Sequence, residues 1–295
     1  MEKSCVLKKV VTCAALDELW LHVIYKCNLN CRHCLFSCSP EKEGPGHLSL
    51  RETVKYVKEA LGQGVRAIYI TGGEPLIWPY LNDFLSWYYT LERVVPLTIL
   101  TNGTLIGLEQ ASFFSRFTSQ GLNLRVSLEC YTRENHEEYR GAGSFSQAIQ
   151  GIWNLNSCGI RPWVAYVNKS GGRLDSSPSQ KLEDDFRQRL NADYGLQIAG
   201  LKIIAAYAKG RFTGFIQPEV TTEQIAEKMD CLQCTYGVAV SKNGMFPCPV
   251  LVDVPQAAVV GSLKEVVGKS FTLNYDFCIS CFATGTTCGH KQTGT

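Results

Sequence analysis

The sequence predicts an α/β protein, a partial (β/α)6 TIM-like barrel followed by a small cysteine-rich C-terminal domain. Six runs rich in β-branched and aromatic residues recur before about residue 210, with helix-like stretches between them. Strands that alternate with helices form right-handed βαβ units, and hence a parallel sheet buried on both faces. The alternation then stops, and six of the 14 cysteines lie between residues 231 and 288.

The elements follow in order along the chain. The predicted strands are ELWLHVIY (18–25), VRAIYIT (65–71), PLTILT (96–101), LNLRVSL (122–128), RPWVAYVN (161–168) and LQIAGLKII (196–204). The predicted helices lie near 49–62, 80–93, 108–120, 144–157 and 178–193. We therefore expect an N-terminal extension at 1–17, the barrel at 18–210 and the cysteine-rich domain at 211–295.

Composition narrows the class of protein. The chain has 295 residues, of which 45% are hydrophobic and 19% charged, and its formal net charge of +2 provides no basic field for nucleic acid. We see no signal peptide and no long uncharged apolar run, so we expect a cytoplasmic protein with no membrane partner. In a reducing compartment 14 cysteines indicate metal or redox chemistry rather than disulfides.

Three cysteines follow the first predicted strand, at the rim where parallel α/β folds place their functional groups. Three residues separate Cys27 from Cys31, and two separate Cys31 from Cys34. A structural zinc site is closed by four ligands, so a zinc knuckle would need His33 or Cys38 as its fourth. Three thiolates instead suit a cubane iron-sulfur cluster with one open iron. The spacing resembles the signature of the radical S-adenosylmethionine superfamily.

The second strand ends in Gly72, Gly73, Glu74 and Pro75. Two residues without Cβ let the backbone approach a ligand closely, and a carboxylate with free carbonyls suits a positively charged amino group. In the family that the chain resembles, this segment binds the methionine amino group of S-adenosylmethionine.

The resemblance implies further cofactor contacts at the rim. They are His33, Asn102, Ser127, Glu129, Asn168 and Arg211. His33 stands where the family often has an aromatic residue or histidine beside the adenine, and Glu129 stands where it commonly has aspartate. Asn102 also fits a strand-ending turn, Asn168 a turn cap, and Arg211 a solvated surface residue.

The tail carries a second group of thiols. They are Cys231, Cys234, Cys248, Cys278, Cys281 and Cys288. The segment between Cys234 and Cys248 alternates like a β-hairpin with a turn at Asn243 and Gly244, which would bring the thiols at its base together. CxxC pairs also fit zinc. The tail resembles SPASM or twitch auxiliary-cluster domains, which implies one or two auxiliary iron-sulfur clusters, one of them expected on Cys234, Cys248, Cys278 and Cys281.

The resemblance implies an oxidoreductase or maturase that reductively cleaves S-adenosylmethionine to a 5′-deoxyadenosyl radical, which abstracts hydrogen from a substrate carbon. A peptide substrate, oxidised, crosslinked or epimerised, is the leading expectation. A small molecule such as an amino sugar or nucleotide, and a non-enzymatic metal-cluster scaffold, remain alternatives. We expect a flavodoxin or ferredoxin-type electron donor. No catalytic residue is assigned, although Cys231 or Cys288 could donate hydrogen to a product radical.

Overall fold

The computed structural model describes residues 9–42, 44–169, 176–212 and 232–273, together with Tyr275, Cys278 and Cys281. The strands are β1 (Lys9–Thr12), β2 (Glu18–Ile24), β3 (Ala67–Gly72), β4 (Leu97–Thr101), β5 (Leu122–Ser127), β6 (Trp163–Asn168), β7 (Gly200–Ala205), β8 (Gly237–Ser241), β9 (Gly244–Phe246) and β10 (Ser270–Leu273). The α-helices are α1 (Leu50–Gly62), α2 (Leu81–Tyr88), α3 (Leu108–Ser115), α4 (Arg133–Arg140), α5 (Ser144–Ser157), α6 (Ser176–Tyr194) and α7 (Leu263–Val266).

A mostly parallel eight-stranded sheet organises the described residues. Its order is β7-β6-β5-β4-β3-β2-β8-β9, and every neighbouring pair from β7 to β8 is parallel. The predicted α/β class and all six predicted strands, observed as β2 to β7, are confirmed. All seven residues of β2 are buried, as expected for a central strand of a sheet covered on both faces.

The helices follow the predicted order with different ends. Helix α1 begins at a capping box, in which Ser49 accepts from the Glu52 amide and the Glu52 carboxylate accepts from the Ser49 amide. The predicted helix at 108–120 divides, because α3 ends at Ser115 and a 3-10 turn follows that stops at Gly121 (φ 98°). Helix α4 was not predicted.

The predicted hairpin is confirmed. Strands β8 and β9 pair antiparallel, with Ser241 opposite Gly244. Strand β8 also pairs in parallel with β2, from Glu18 opposite Gly237 to His22 opposite Ser241. Strand β1 pairs antiparallel with β10. Strands β1 and β10, from near the two ends of the chain, are therefore present in addition to the predicted strands.

The sheet has an apolar face and a face with buried polar groups. Leu19, Leu21 and Val23 belong to the main hydrophobic core with the helices. On the alternate positions, the Trp20 ring stacks on Tyr69 with ring centroids 4.1 Å apart, and the Arg125 guanidinium lies over both rings. Because alternate side chains of a strand point to opposite faces, Trp20, Tyr69 and Arg125 lie on the face opposite Leu19, Leu21 and Val23.

Candidate functional site

The three cysteines of the predicted metal loop directly follow β2. Cys27 and Cys31 are buried, and Cys34 is partly buried. The Leu29 amide donates to the Cys27 sulfur at 3.4 Å, and the Cys38 amide donates to the Cys34 sulfur at 3.3 Å. Amide donors of this kind stabilise thiolates and tune the potential of iron-sulfur clusters.

Cys38 acts on Cys34 through its thiol as well. A hydrogen bond from the Cys38 side chain lowers the pKa of Cys34, whereas the same bond and burial raise the pKa of Cys38. The directions of these two shifts favour ionisation of Cys34 over Cys38, and the Cys38 sulfur also lies 3.9 Å from the Phe36 carbonyl oxygen. This arrangement favours Cys34 as a metal ligand.

The glycines after β3 pack against the chain segment that leads into the cysteine loop. A Cβ on Gly72 would lie 2.3 Å from the Ile24 carbonyl oxygen, and one on Gly73 would lie 2.1 Å from that of Lys26. The Gly73 amide donates to Ile24 O (2.7 Å), and the Glu74 amide donates to Lys26 O (3.0 Å). The absence of a Cβ atom at Gly72 and Gly73 thus allows close contact with the protein's own backbone. The sequence alone did not reveal this contact.

Glu74 ties the ends of β3 and β4 together. Its side chain is fully buried and accepts hydrogen bonds from the Thr101 hydroxyl (2.7 Å), the Asn102 amide (2.8 Å) and the Leu76 amide (3.1 Å). Burial raises the pKa of Glu74, and these donors only partly offset that effect. Pro75 begins the following 3-10 turn, which fixes the direction of the chain after Glu74.

Asn102 connects the hydrogen bonds of Glu74 to the cysteine loop. Its side-chain amide lies 3.7 Å from the Cys27 sulfur and donates to Asn28 Oδ1 at 2.9 Å. Thr104 completes the network, since its hydroxyl donates to Asn102 Oδ1 (2.7 Å) and accepts from the Asn28 amide group (2.8 Å). Asn102 is therefore placed beside the predicted ligand Cys27.

Glu129 is the centre of a buried charge cluster. Its carboxylate accepts from His33 Nε2 (3.0 Å), Arg140 Nη2 (2.7 Å) and Lys169 Nζ (2.5 Å). Burial alone would raise the pKa of Glu129, but Arg140, His33 and Lys169 together hold it well below its usual range. The predicted residues His33 and Glu129 thus lie in direct contact, 96 positions apart in the sequence.

Helix α4 supplies two residues that sequence reasoning missed. Arg140 Nη1 lies 4.0 Å from the Cys31 sulfur while the same guanidinium binds Glu129. His136 Nδ1 accepts from the Glu129 amide at 3.2 Å. The sequence feature that could have identified Arg140 is its position at the end of a polar segment shortly after the fourth predicted strand. Lys169 was also missed, although it directly follows the predicted Asn168.

Two further predicted residues end β5 and β6. Ser127 is partly buried and lies opposite Ala165 in the sheet. Asn168 is buried, and its carbonyl accepts a hydrogen bond from the Ala206 amide at 3.3 Å. Both positions lie at the carboxyl rim that also carries the cysteine loop.

Arg211 lies on the backbone of the cysteine loop, and the reading of it as a solvated surface residue is wrong. Its Nε donates to Cys31 O (2.6 Å) and its Nη2 to Cys38 O (2.7 Å). Its own amide donates to Cys34 O at 3.1 Å. Arg211 therefore holds the loop through three carbonyl groups.

Four tail cysteines gather in one place. Buried Cys234 packs with Val11 and Leu232, and Cys248, Cys278 and Cys281 pack against this group. The Val250 amide donates to the Cys248 sulfur at 3.4 Å. These four are the cysteines predicted to hold one auxiliary cluster, whereas Cys231 and Cys288 lie outside the described residues.

The donor set at the cysteine loop fits an iron-sulfur cluster. Soft thiolates are the ligands that such clusters require, and each of the three has a hydrogen-bond donor nearby, in Leu29, Arg140 and Cys38. Within the described ranges, no group of three or more His, Cys, Asp or Glu side chains is arranged to hold a single metal ion.

A parallel α/β sheet with three thiols and a glycine turn at its carboxyl rim is the arrangement expected of radical S-adenosylmethionine enzymes. The model of the Radical SAM superfamily matches residues 21–168, and the chain belongs to this superfamily. Its members use a [4Fe–4S] cluster and S-adenosylmethionine.

Two related proteins of known activity illustrate the range of activities among proteins similar in sequence to this chain. The chain is 33% identical over 142 residues to the antilisterial bacteriocin subtilosin biosynthesis protein AlbA of Bacillus subtilis (strain 168). This alignment covers 48% of this chain and 31% of AlbA. The chain is also 26% identical over 273 residues to a GTP 3′,8-cyclase of Petrotoga mobilis (strain DSM 10674 / SJ95). This alignment covers 90% of this chain and 77% of that enzyme. The chain thus spans about a third of AlbA.

Among solved structures, Streptococcus suis SuiB bound to the precursor peptide SuiA has a TM-score of 0.65 at 15% identity. The match covers 87% of this chain and 65% of SuiB. At this identity the likeness concerns the fold. None of the helices in the part of the chain that the structure describes is long and apolar enough to cross a membrane.

Proposed function

We propose that this radical S-adenosylmethionine enzyme modifies a peptide by oxidation, crosslinking or epimerisation. The observation that carries the radical chemistry is the position of Cys27, Cys31 and Cys34 beside the turn that begins at Gly72. The peptide substrate is supported by the similarity to AlbA, a bacteriocin biosynthesis protein, and to SuiB, which was solved with a precursor peptide.

In this proposal the three thiolates hold a [4Fe–4S] cluster with one open iron. When bound, the cluster and S-adenosylmethionine supply a 5′-deoxyadenosyl radical. The chain's residues bind and orient the cofactor and exclude water from the rim. The proposed cofactor-binding residues are His33, Gly72, Gly73, Glu74, Pro75, Asn102, Ser127, Glu129, Asn168 and Arg211. To these the charge cluster adds Arg140 and Lys169, whose cationic groups suit a carboxylate ligand.

We further propose that β2 to β7 curve into a partial barrel and that the tail forms a SPASM or twitch-like domain, with boundaries near residues 18 and 211. Contacts of Arg211, which follows β7, with the loop that follows β2 support the curvature. The grouping of four tail cysteines supports an auxiliary cluster. A flavodoxin or ferredoxin would supply the electron.

Anaerobic reconstitution with iron and sulfide tests the radical chemistry. Under reduction the protein should release 5′-deoxyadenosine from S-adenosylmethionine, and replacement of Cys27, Cys31 and Cys34 by alanine should abolish this release while iron stays at the tail. A metal-cluster scaffold would release none, which would refute the proposal. Complete loss of iron from the triple variant would contradict two separate sites.

A small-molecule substrate is the second candidate, supported by the match to the GTP 3′,8-cyclase over 90% of this chain. A short open reading frame beside the gene would favour a peptide. Transfer of deuterium from a labelled substrate into 5′-deoxyadenosine would then identify the carbon that is attacked. Transfer from labelled GTP, but not from the encoded peptide, would favour the nucleotide.

A further inference from the structure

One short segment after β7 contacts both thiol groups of the described chain. We name this segment, residues 207–211, the connector. Its N-terminal residue Tyr207 is buried, and the Tyr207 hydroxyl lies 3.2 Å from the sulfur of Cys281 in the tail. The ring packs with Val250, and Leu35 of the cysteine loop lies against the same group. Tyr207 therefore touches the tail thiols on one side and the loop on the other.

The other end of the connector is fitted to the cysteine loop. Gly210 adopts φ +67°, and a Cβ there would lie 2.2 Å from the Cys34 carbonyl oxygen. Arg211 binds the carbonyls of Cys31, Cys34 and Cys38. The backbone of the loop can hardly move without moving these residues, because the close approach leaves no free space.

Lys209 joins the two sides between these ends. Its largely buried ammonium group pairs with Asp253 of the tail at 2.5 Å and lies 3.4 Å from the Leu35 carbonyl oxygen. It also lies over the Phe36 ring at 4.5 Å from the centroid. A largely buried ammonium group in contact with one tail residue and two loop residues favours one arrangement of both segments, since separation would break its ion pair with Asp253.

We propose that the connector couples the two thiol sites, so that an iron-sulfur cluster held by Cys234, Cys248, Cys278 and Cys281 stabilises the cysteine loop in its ligand-binding arrangement. This inference rests on the proposed function, because it requires metal at both sites. Occupancy of the tail fixes Cys281 and with it Tyr207, and the rigid connector transmits this order to the loop carbonyls. Coupling between sites typically changes an affinity by about fivefold or more.

The test follows the loop cluster in the full-length reconstituted protein. Its electron paramagnetic resonance signal is identified by its change on adding S-adenosylmethionine, and its loss is timed in the presence of an iron chelator. Cys278→Ala/Cys281→Ala, which removes tail metal, should accelerate this loss about fivefold. Tyr207→Phe, which keeps the ring packing and removes the hydroxyl, should accelerate it in the same direction.

Tyr89→Phe is the matched control, because the partly buried Tyr89 ring stacks on Phe117 and its buried hydroxyl has no hydrogen-bond partner among the described residues. It should leave the rate unchanged. Tyr207→Phe should have a smaller effect in the Cys278→Ala/Cys281→Ala background, where the sulfur 3.2 Å from its hydroxyl is gone. A merely structural role of Tyr207 would give additive effects.

Loss of tail iron with an unchanged decay of the loop signal would overturn the coupling while the proposed function stands. Additive effects of the tyrosine and cysteine changes on the decay rate would also overturn the coupling. So would the finding that the reconstituted wild-type protein holds no iron at the tail cysteines. Failure of the proposed function looks different: no signal responds to S-adenosylmethionine in the wild type, and no 5′-deoxyadenosine forms. The coupling would then be refuted as well, since the loop would hold no cluster to stabilise.

Discussion

Gly73 packs directly on Lys26, so closely that a Cβ at position 73 would lie 2.1 Å from the Lys26 carbonyl oxygen. Two segments 47 positions apart in the sequence thus share a backbone contact at the entrance to the cysteine loop, made firm by the hydrogen bond from the Glu74 amide to the same oxygen. The contact fixes where the loop starts relative to β3.

Gly73→Ala should therefore displace the start of the loop. Relief of the overlap requires backbone movement, which typically costs about 1–3 kcal/mol. We expect a lower free energy of unfolding in urea and less iron at the loop after reconstitution. Gly62→Ala is the control, because a Cβ there meets nothing within 4 Å at the end of α1, and it should lower neither the free energy of unfolding nor the iron content. Equal behaviour of the two variants would contradict the assigned role of the contact.

Glu129→Gln should destabilise the protein strongly. The substitution keeps the shape but leaves Arg140 and Lys169 without the buried carboxylate that compensates their charges. Removal of one partner from a buried ion pair costs about 3–5 kcal/mol. Chemical denaturation of both proteins measures the difference. Glu183→Gln, which breaks an exposed pair with Arg187 on α6, should change stability by less than about 1 kcal/mol. A similar small effect at Glu129 would be evidence against the charge cluster.

Cys34→Ala and Cys38→Ala should differ sharply. Cys34 is proposed as a metal ligand, and a side-chain hydrogen bond with Cys38 lowers the pKa of Cys34. The first variant should lose the loop iron, whereas the second should retain it with a shifted reduction potential, because a hydrogen bond to a ligand sulfur is lost. Iron analysis and a redox titration check both. Loss of loop iron in Cys38→Ala would instead identify Cys38 as a ligand.

His22→Phe should reduce the acid sensitivity of the fold. His22 is buried, neither ring nitrogen has a hydrogen-bond partner among the described residues, and burial together with Lys209 and Lys42 lowers its pKa to about 3. The unfolded chain binds the proton near pH 6.5 and the folded chain does not. The histidine's contribution is therefore complete above pH 6.5 and is lost as the pH falls towards 3.

Between pH 7 and pH 5 this difference amounts to roughly 2 kcal/mol of unfolding free energy. Denaturant titrations of wild type and His22→Phe at the two pH values measure it, with iron loading matched. The variant should show the smaller decrease. Identical pH dependence would mean that the pKa of His22 is not lowered in the folded protein.

The sequence was sufficient to predict the central strands and which residues follow them at the rim. Periodicity and composition identify β2 to β7, and the ends of those strands bring Cys27, Glu74, Asn102 and Glu129 to one edge, as the rule for parallel sheets requires. The hairpin at Asn243 was also predictable, because its turn signal is local.

Long-range contacts and polar helices were not predictable. Helix α4, RENHEEYR, has no apolar stripe, so its periodicity carries no signal, and Arg140 was missed with it. The close packing of Gly73 on Lys26 depends on how two strands leave the sheet, which neither segment encodes alone. The pairing of β8 with β2 joins residues more than 200 positions apart, beyond any local pattern.

The pairing of β2 with β8 has a consequence for biosynthesis. The ribosome releases β2 and the cysteine loop long before it makes Gly237–Ser241, so one edge of an apolar strand stays open while most of the chain is translated. Open apolar edges recruit other strands and promote aggregation. A nascent or truncated chain that ends before β8 should therefore depend on chaperones.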